Sequence, residues 1–233
     1  MNLDYNKNFP NQELDGDPTE CTALTVTDIC GNILKMLFDP DFTYASTFYT
    51  ENTPPSTAGA DPRAAMYSVP LCGLLPVSKE TFTAKVMGEL YVANLQNYSQ
   101  AQKNLALIYR MCAKPVPMDY QSVIRVLQSG YAVSLAMKWY WGANPPVVLT
   151  APQPGDTYTD HNVAIYDWED PRGLTIKPWL GANAGENGYC FLPKEVFDTS
   201  AVFTMQFDSK ASVALQNISL KIVYYPAFNA LFA

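Results

Sequence analysis

The residue types with the clearest potential chemistry in this chain are one cysteine and one histidine. His161 is the only histidine among 233 residues, and it stands in residues 160–166, where a polar turn leads into an apolar strand. Cys21 lies about 140 residues earlier. A thiol becomes a strong nucleophile at neutral pH when an imidazole takes its proton. If the fold brings the two residues together, the sequence predicts a thiol nucleophile with a histidine general base.

Cys21 follows a clear helix-start signal. Asp17 can cap the helix, Pro18 suits its first position, and Glu20 completes a capping box. The unpaired N–H groups and partial positive charge of a helix N-terminus favour a thiolate at Cys21, although the acidic residues around it act in the opposite direction. The alternative to a reactive pair is that Cys21 is a buried structural cysteine and that His161 is a structural histidine whose hydrogen bonds are made at the end of a strand.

Composition narrows the classes of function. The chain is 48% hydrophobic and 16% charged, with 18 prolines and a net charge of −7, which is typical of a globular protein. The chain has no Lys/Arg cluster, so we do not expect it to bind nucleic acid. It has no apolar run long enough for a membrane helix, and residues 1–17 are too polar for a secretory signal. The five cysteines are scattered and no secretory signal is evident, so we expect reduced thiols, no metal site and no cofactor. The lack of a signal or membrane segment predicts a cytoplasmic setting, or a virion setting that the composition suggests.

Hydrophobic periodicity places helices mainly in the first half of the chain and strands in the second. Helices are expected at about 17–38, 61–68, 97–111 and 119–129, with a long aromatic, proline-containing loop at 39–60. Strands are expected at 131–140, 161–168, 174–179, 189–192 and 201–207, followed by a strand or hairpin at 212–225. This pattern predicts an α+β chain of two lobes.

Four segments, in this order, resemble the papain-like cysteine peptidases. Residues 20–24 (ECTAL) resemble the cysteine segment, and residues 119–140 resemble the helix, glycine turn and strand that precede the histidine. Residues 160–166 (DHNVAIY) are similar to the histidine segment. Residues 174–191 (LTIKPWLGANAGENGYCF) are similar to the asparagine segment, and the run GENGY at 185–189 is the most specific part of the resemblance.

The resemblance implies a papain-like fold, with a helical N-terminal lobe, an antiparallel β-sheet or barrel as the C-terminal lobe, and a cleft between them. It divides the chain into an N-terminal arm at 1–16, a papain-like domain at 17–207, and a C-terminal strand and aromatic tail at 208–233. Within the domain, the helical lobe would span about 17–118 and the β lobe about 119–207.

The resemblance also implies roles for residues at the cleft. Cys21 would attack an amide carbonyl, and His161 would take the thiol proton and later pass it to the leaving amine. Counting back from residues 185–188, the position of the orienting asparagine falls on Pro178, which has no side-chain hydrogen bond to offer. Asn183 is then the candidate side chain for orienting the imidazole.

The remaining supporting positions also differ from the family pattern. The glutamine that would help bind the oxyanion falls on Asp15, whose carboxylate would repel an oxyanion, while Gln12 lies three residues further upstream. Gln12 and Asp15 are therefore the candidate oxyanion residues. Trp179 is the candidate ring that shields the histidine, shifted in register.

Two functions stay open on the sequence. The first is a thiol hydrolase acting on a peptide or protein amide bond, with ligation or acyl transfer by the same dyad as a variant. The second is a catalytically degenerate papain-like protein that serves as a structural or assembly subunit, for example of a viral or phage particle. It would self-associate or bind a protein partner through the aromatic tail at 224–233, or through the aromatic segment 42–49.

Overall fold

The structure is a computed structural model that describes residues 21–56, 59–77 and 87–208. Within these ranges the chain has seven α-helices, and none of them is long and apolar enough to cross a membrane. They are α1 (Cys21–Leu34), α2 (Pro40–Glu51), α3 (Pro62–Cys72), α4 (Glu89–Val92), α5 (Gln100–Ala106), α6 (Tyr120–Gln128) and α7 (Lys194–Ser200). The strands are β1 (Cys112–Pro115), β2 (Val133–Trp139), β3 (Thr159–Glu169), β4 (Gly173–Lys177), β5 (Cys190–Leu192) and β6 (Ala201–Asp208).

The six strands form one antiparallel sheet in the order β1-β6-β2-β3-β4-β5. The predicted α+β class and antiparallel sheet are therefore confirmed. The barrel alternative needs correction, because β1 and β5 are the two edges and the sheet of described strands stays open. A barrel closes only when its edge strands pair with each other, and here the edge strands have four and three residues and lie at opposite ends.

Helices pack on both faces of the sheet. Successive side chains of a strand point to opposite faces, so Val163 and Ile165 of β3 pack into a core with α6 and α7, whereas Ala164 packs with α1 and α3. Helix α1 thus lies against the central part of the sheet, with its cysteine end near the start of β3. This arrangement sets the relative positions of the two residues that the sequence singles out.

The prediction of a loop at residues 39–60 is wrong over most of its length, because α2 occupies it. The Asp39 side chain accepts the N–H of Asp41 at 3.0 Å, and Pro40 takes the first helical position. This is the same start signal that the sequence shows before Cys21, here obscured by an aromatic composition. Of the aromatic rings in the segment 42–49, those of Phe42, Tyr44 and Phe48 are buried and only Tyr49 is partly exposed, so three of the four rings are not available for an exposed docking surface.

Other predicted elements are displaced at their ends. Helix α1 ends at Leu34 instead of near residue 38, because Lys35 adopts a left-handed conformation with φ of 58°. The five predicted strands between residues 131 and 207 are confirmed, with shifts of a few residues at their ends. The predicted arm at 1–16, the strand or hairpin at 212–225 and the aromatic tail lie outside the described residues.

The start of α2 buries two carboxylates next to each other, which makes stability depend on pH. Burial and the nearby charge of Asp41 raise the pKa of Asp39 well above its usual value of 3.8. The folded protein therefore keeps a proton that the unfolded chain has already released, and its stability falls as pH rises from 3.8 towards the raised pKa. Asp39→Asn keeps the capping acceptor and removes the charge. We expect its free energy of unfolding in urea at about pH 7 to exceed that of the wild type by about 1 kcal/mol.

Asp61→Asn is the matched control, since Asp61 caps α3 in the same way, with Pro62 at the first helical position, but is exposed. The control should change stability by less than about 0.5 kcal/mol. An Asp39→Asn protein less stable than the wild type at neutral pH would show that the carboxylate is stabilising in its charged form.

Candidate active site

Helix α1 and strand β3 bring Cys21 and His161 to one cleft. Cys21 is the first described residue of α1 and is half-buried, and its sulfur lies 3.8 Å from the hydroxyl of Thr22. His161 lies near the start of β3, with 9% of its surface exposed. The Thr25 hydroxyl joins the two elements, because it lies 2.8 Å from the carbonyl of Cys21 and 3.1 Å from that of Asn162.

The two side chains shift each other's protonation. Burial raises the pKa of the Cys21 thiol, but the charge and hydrogen bond of His161, with the backbone of Asn162, outweigh it and lower the pKa below its usual 9.0. Burial lowers the pKa of His161, but Cys21 and the carbonyl of Pro178 outweigh it and raise the pKa above its usual 6.5. Both directions favour a thiolate–imidazolium pair, the reactive form of a cysteine nucleophile.

Cys21 differs in this respect from the other four cysteines, all of which are buried. Burial raises the pKa of Cys72 and of Cys190 to about 12 and that of Cys30 well above its usual value. Burial also raises the pKa of Cys112. These four thiols therefore resemble small apolar side chains, and Cys21 is the cysteine whose surroundings favour a thiolate.

The imidazole is oriented by a backbone group. Nε2 of His161 lies 2.7 Å from the carbonyl oxygen of Pro178. A carbonyl oxygen can only accept, so Nε2 carries the proton that it donates, and Nδ1 is the nitrogen left for Cys21. Pro178 stands where the family pattern places the orienting asparagine, and its backbone supplies the acceptor that its side chain lacks. Residue type could not reveal this group, because every residue carries a backbone carbonyl.

The ring next to His161 belongs to Trp139 of β2. Its centroid lies 5.2 Å from that of the imidazole, with 54° between the planes, and its indole N–H donates to the carbonyl of Gly142 at 2.8 Å. Trp179, the ring proposed from the sequence, is buried and donates its indole N–H to the hydroxyl of Thr25 at 2.8 Å. Trp179 therefore contacts the cysteine helix, and Trp139 covers the imidazole.

Of the other residues proposed from the sequence, the structure describes Asn183 alone. Asn183 is exposed in the turn that follows β4, and the acceptor at His161 Nε2 is Pro178. Gln12 and Asp15, the candidate oxyanion residues, lie outside the described residues. Their assignment stays a prediction.

The cleft beside Cys21 has a volume of about 770 Å³, which is large enough for several residues of an extended chain. Its walls come from both halves of the chain, and they include Arg63, Met137, Leu180 and Phe203. The guanidinium of Arg63 lies 5.1 Å from the centre of the Phe203 ring. Within residues 21–56, 59–77 and 87–208, no three His, Cys, Asp or Glu side chains are grouped to hold a metal ion.

Several solved structures of cysteine proteases have a fold similar to that of this chain. Xylellain, a cysteine protease from Xylella fastidiosa, superposes with a TM-score of 0.70 and 20% identity, over 82% of this chain and 80% of its own. Bromelain protease from Ananas comosus gives a TM-score of 0.58 and 13% identity, over 82% and 90%. A cysteine protease from Carica candamarcensis gives 0.58 and 14%, over 84% and 92%.

These similarities confirm the papain-like fold that the four sequence segments imply. At such low identity they establish the architecture and not the activity. No protein-family model matches the chain, and no curated protein matches it. The chemistry of the cleft therefore has to be argued from its own residues.

The contrast among the five thiols predicts selective alkylation. At about pH 6 we expect iodoacetamide to label Cys21 at least about 10 times faster than any other cysteine, because the pKa of Cys21 is lowered while the pKa values of the other four thiols are raised. His161→Ala removes the two largest influences that lower the pKa of Cys21, so it should suppress this labelling. Peptide mapping by mass spectrometry measures each site.

Cys112→Ser serves as the control, since it removes a buried thiol from the far edge of the sheet and should leave Cys21 labelling unchanged. Equal and slow labelling of all five cysteines in the wild type would contradict an activated Cys21.

Proposed function

We propose that this protein is a papain-like thiol hydrolase that cleaves a peptide or other amide bond, with Cys21 as nucleophile and His161 as general acid and base. The observation that carries the proposal is the pairing at the cleft. The one cysteine whose pKa is lowered interacts with the one histidine of the chain, and that histidine is oriented by Pro178 so that Nδ1 is free for the thiol.

The arrangement supports acylation of Cys21. The thiolate attacks the carbonyl carbon of the substrate and forms a sulfur–carbon bond, while the carbonyl electrons move onto oxygen. The tetrahedral intermediate then collapses and breaks the carbon–nitrogen bond, and the leaving amine takes the proton from Nδ1 of the imidazolium. The resemblance to papain-like peptidases implies that the backbone N–H of Cys21 helps to bind the oxyanion. This leaves an acyl group on Cys21 and a neutral imidazole.

Deacylation uses the same imidazole in the opposite direction. Neutral His161 takes a proton from water, the hydroxide adds to the thioester, and the sulfur–carbon bond breaks to release the acid. An amine that reaches the thioester before water would give acyl transfer instead. The hydrogen bond to Pro178 persists throughout, because Nε2 keeps its proton in both states of the ring.

An assembly subunit is less well supported by the described residues. Of its two proposed contact surfaces, the tail at 224–233 lies outside them, and the aromatic rings at 42–48 are buried in the core. No other described feature favours that alternative.

Substitutions in the cleft test the proposed hydrolase on a pool of fluorogenic peptides. Cys21→Ala should abolish cleavage, and His161→Ala should lower kcat/KM by at least about 10³-fold, because both residues act in bond breaking. Wild-type protein that is folded, reacts with iodoacetamide and yet cleaves no peptide or amide would argue against a hydrolase.

Pro178→Ala distinguishes a backbone acceptor from a side-chain one. The backbone carbonyl is still present in this variant, so we expect kcat/KM to fall by less than about 10-fold. The main cause of the fall is the greater backbone freedom of alanine compared with proline. A loss as large as that of His161→Ala would show that the proline ring, and not the carbonyl, is what the histidine requires.

A further inference from the structure

The Pro178 carbonyl is not held by the sheet. The last pair of the ladder between β3 and β4 joins Ala164 to Lys177. Pro178, the next residue, has no N–H with which to extend the ladder. The chain beyond β4 therefore needs another attachment if its carbonyl is to stay 2.7 Å from His161 Nε2.

Side chains on both sides of Pro178 supply that attachment. The ammonium of Lys177 lies 3.6 Å from the carboxylate of Asp28, and these side chains are 3% and 1% exposed. On the other side, the indole N–H of Trp179 donates to the Thr25 hydroxyl at 2.8 Å. The Lys177 ammonium also lies 4.2 Å from the centre of the Trp179 ring. We call these four residues, Thr25, Asp28, Lys177 and Trp179, the Pro178 clamp.

Both anchor points of the clamp lie on the cysteine helix, on the same side as the nucleophile. Thr25 and Asp28 follow Cys21 by about one and two turns of α1, a spacing that places all three on one helix face. The hydroxyl of Thr25 also lies 2.8 Å from the carbonyl of Cys21 itself. Through the clamp, the nucleophile and the acceptor that orients its base are fastened to one rigid element.

Two features of the clamp are unfavourable by themselves. Burying an ion pair loses hydration that the attraction between the charges does not reliably recover. Trp179 has a φ of 60°, a left-handed conformation that bulky residues rarely adopt. Such features persist where the surrounding structure requires them, and they cluster at functional sites. Here they fall immediately before and after the residue whose carbonyl orients His161.

We propose that the Pro178 clamp is a positioning device: Asp28 and Lys177, with Thr25 and Trp179, hold the Pro178 carbonyl under His161 and thereby set the imidazole against Cys21. This inference rests on the proposed function, in which Cys21 and His161 form the reactive pair. None of the four clamp residues needs to touch substrate. Their contribution is to position the Pro178 carbonyl as accurately against His161 Nε2 as an asparagine side chain would be.

The test replaces the ion pair without leaving a lone buried charge. The double variant Asp28→Leu with Lys177→Met keeps apolar volume in place, so the protein should remain folded. His161 is the only histidine, so its imidazole signals in a nitrogen–proton NMR spectrum report on this site alone. We expect the wild type to show a slowly exchanging, hydrogen-bonded Nε2–H, and the double variant to lose it.

The same variant has a chemical readout. We expect the pKa of Cys21, measured from the pH dependence of iodoacetamide alkylation, to rise towards the usual 9.0, because Cys21 is the titratable group that interacts with His161. On a cleaved peptide, kcat should fall by about 10- to 100-fold with little change in KM. The control is Lys194→Met with Asp198→Leu, which removes an exposed ion pair from α7 and should move none of these values.

A folded double variant that keeps both the Nε2–H signal and the low pKa of Cys21 would overturn the inference. If the double variant does not fold, Thr25→Val and Thr25→Ser decide in its place. The serine keeps the hydroxyl and should retain both signatures, whereas the valine should lose them, and equal behaviour of the two would overturn the proposal. The NMR signature does not require turnover, so a protein without hydrolase activity but with a clamp-dependent Nε2–H would refute the proposed function alone.

Discussion

The proposed chemistry of this site depends on one hydrogen bond, from His161 Nε2 to the carbonyl oxygen of Pro178, at 2.7 Å. Because a carbonyl oxygen has no proton to give, the bond determines which ring nitrogen is protonated and leaves Nδ1 for the thiol. Burial lowers the pKa of His161, Cys21 raises it most, and the hydrogen bond to Pro178 adds to that rise, so that the net pKa lies above its usual 6.5. Burial raises the pKa of the Cys21 thiol, but His161 outweighs this effect through its charge and hydrogen bond, so the pKa of Cys21 is lowered.

A backbone acceptor places a different demand on the fold than an asparagine side chain would. A side chain can reach its partner from a backbone that is only approximately placed, whereas a carbonyl can be aimed only by the path of the chain itself. The structure meets this demand around Pro178 with buried polar contacts, from Lys177 to Asp28 and from Trp179 to Thr25. The departure from the family pattern and the unusual polar interior of this region therefore have a common physical explanation.

The parts of the fold that followed from the sequence are those with a regular hydrophobic period. Strands such as Val133–Trp139 and Ala201–Asp208 alternate apolar and polar residues over part of their length, and the strands between residues 131 and 207 occur where the pattern predicts them. Helix α2 was missed because its aromatic and hydroxyl-rich residues resemble a loop, and it is stabilised by burial against neighbouring helices and by its cap at Asp39. Tertiary packing outweighs weak local propensity in such segments.

The sequence alone predicted Cys21 and His161 as the candidate pair, together with the order of the segments around it and the α+β class. These are properties of residue type and spacing, which the chain carries before it folds. Only the tertiary structure decided which group orients the histidine, which ring covers it, and whether the sheet closes. These three features depend on where distant parts of the chain lie in space: the position of a backbone carbonyl, the contact of a ring with a neighbouring strand, and the pairing of sheet edges. Residue type alone does not determine those positions.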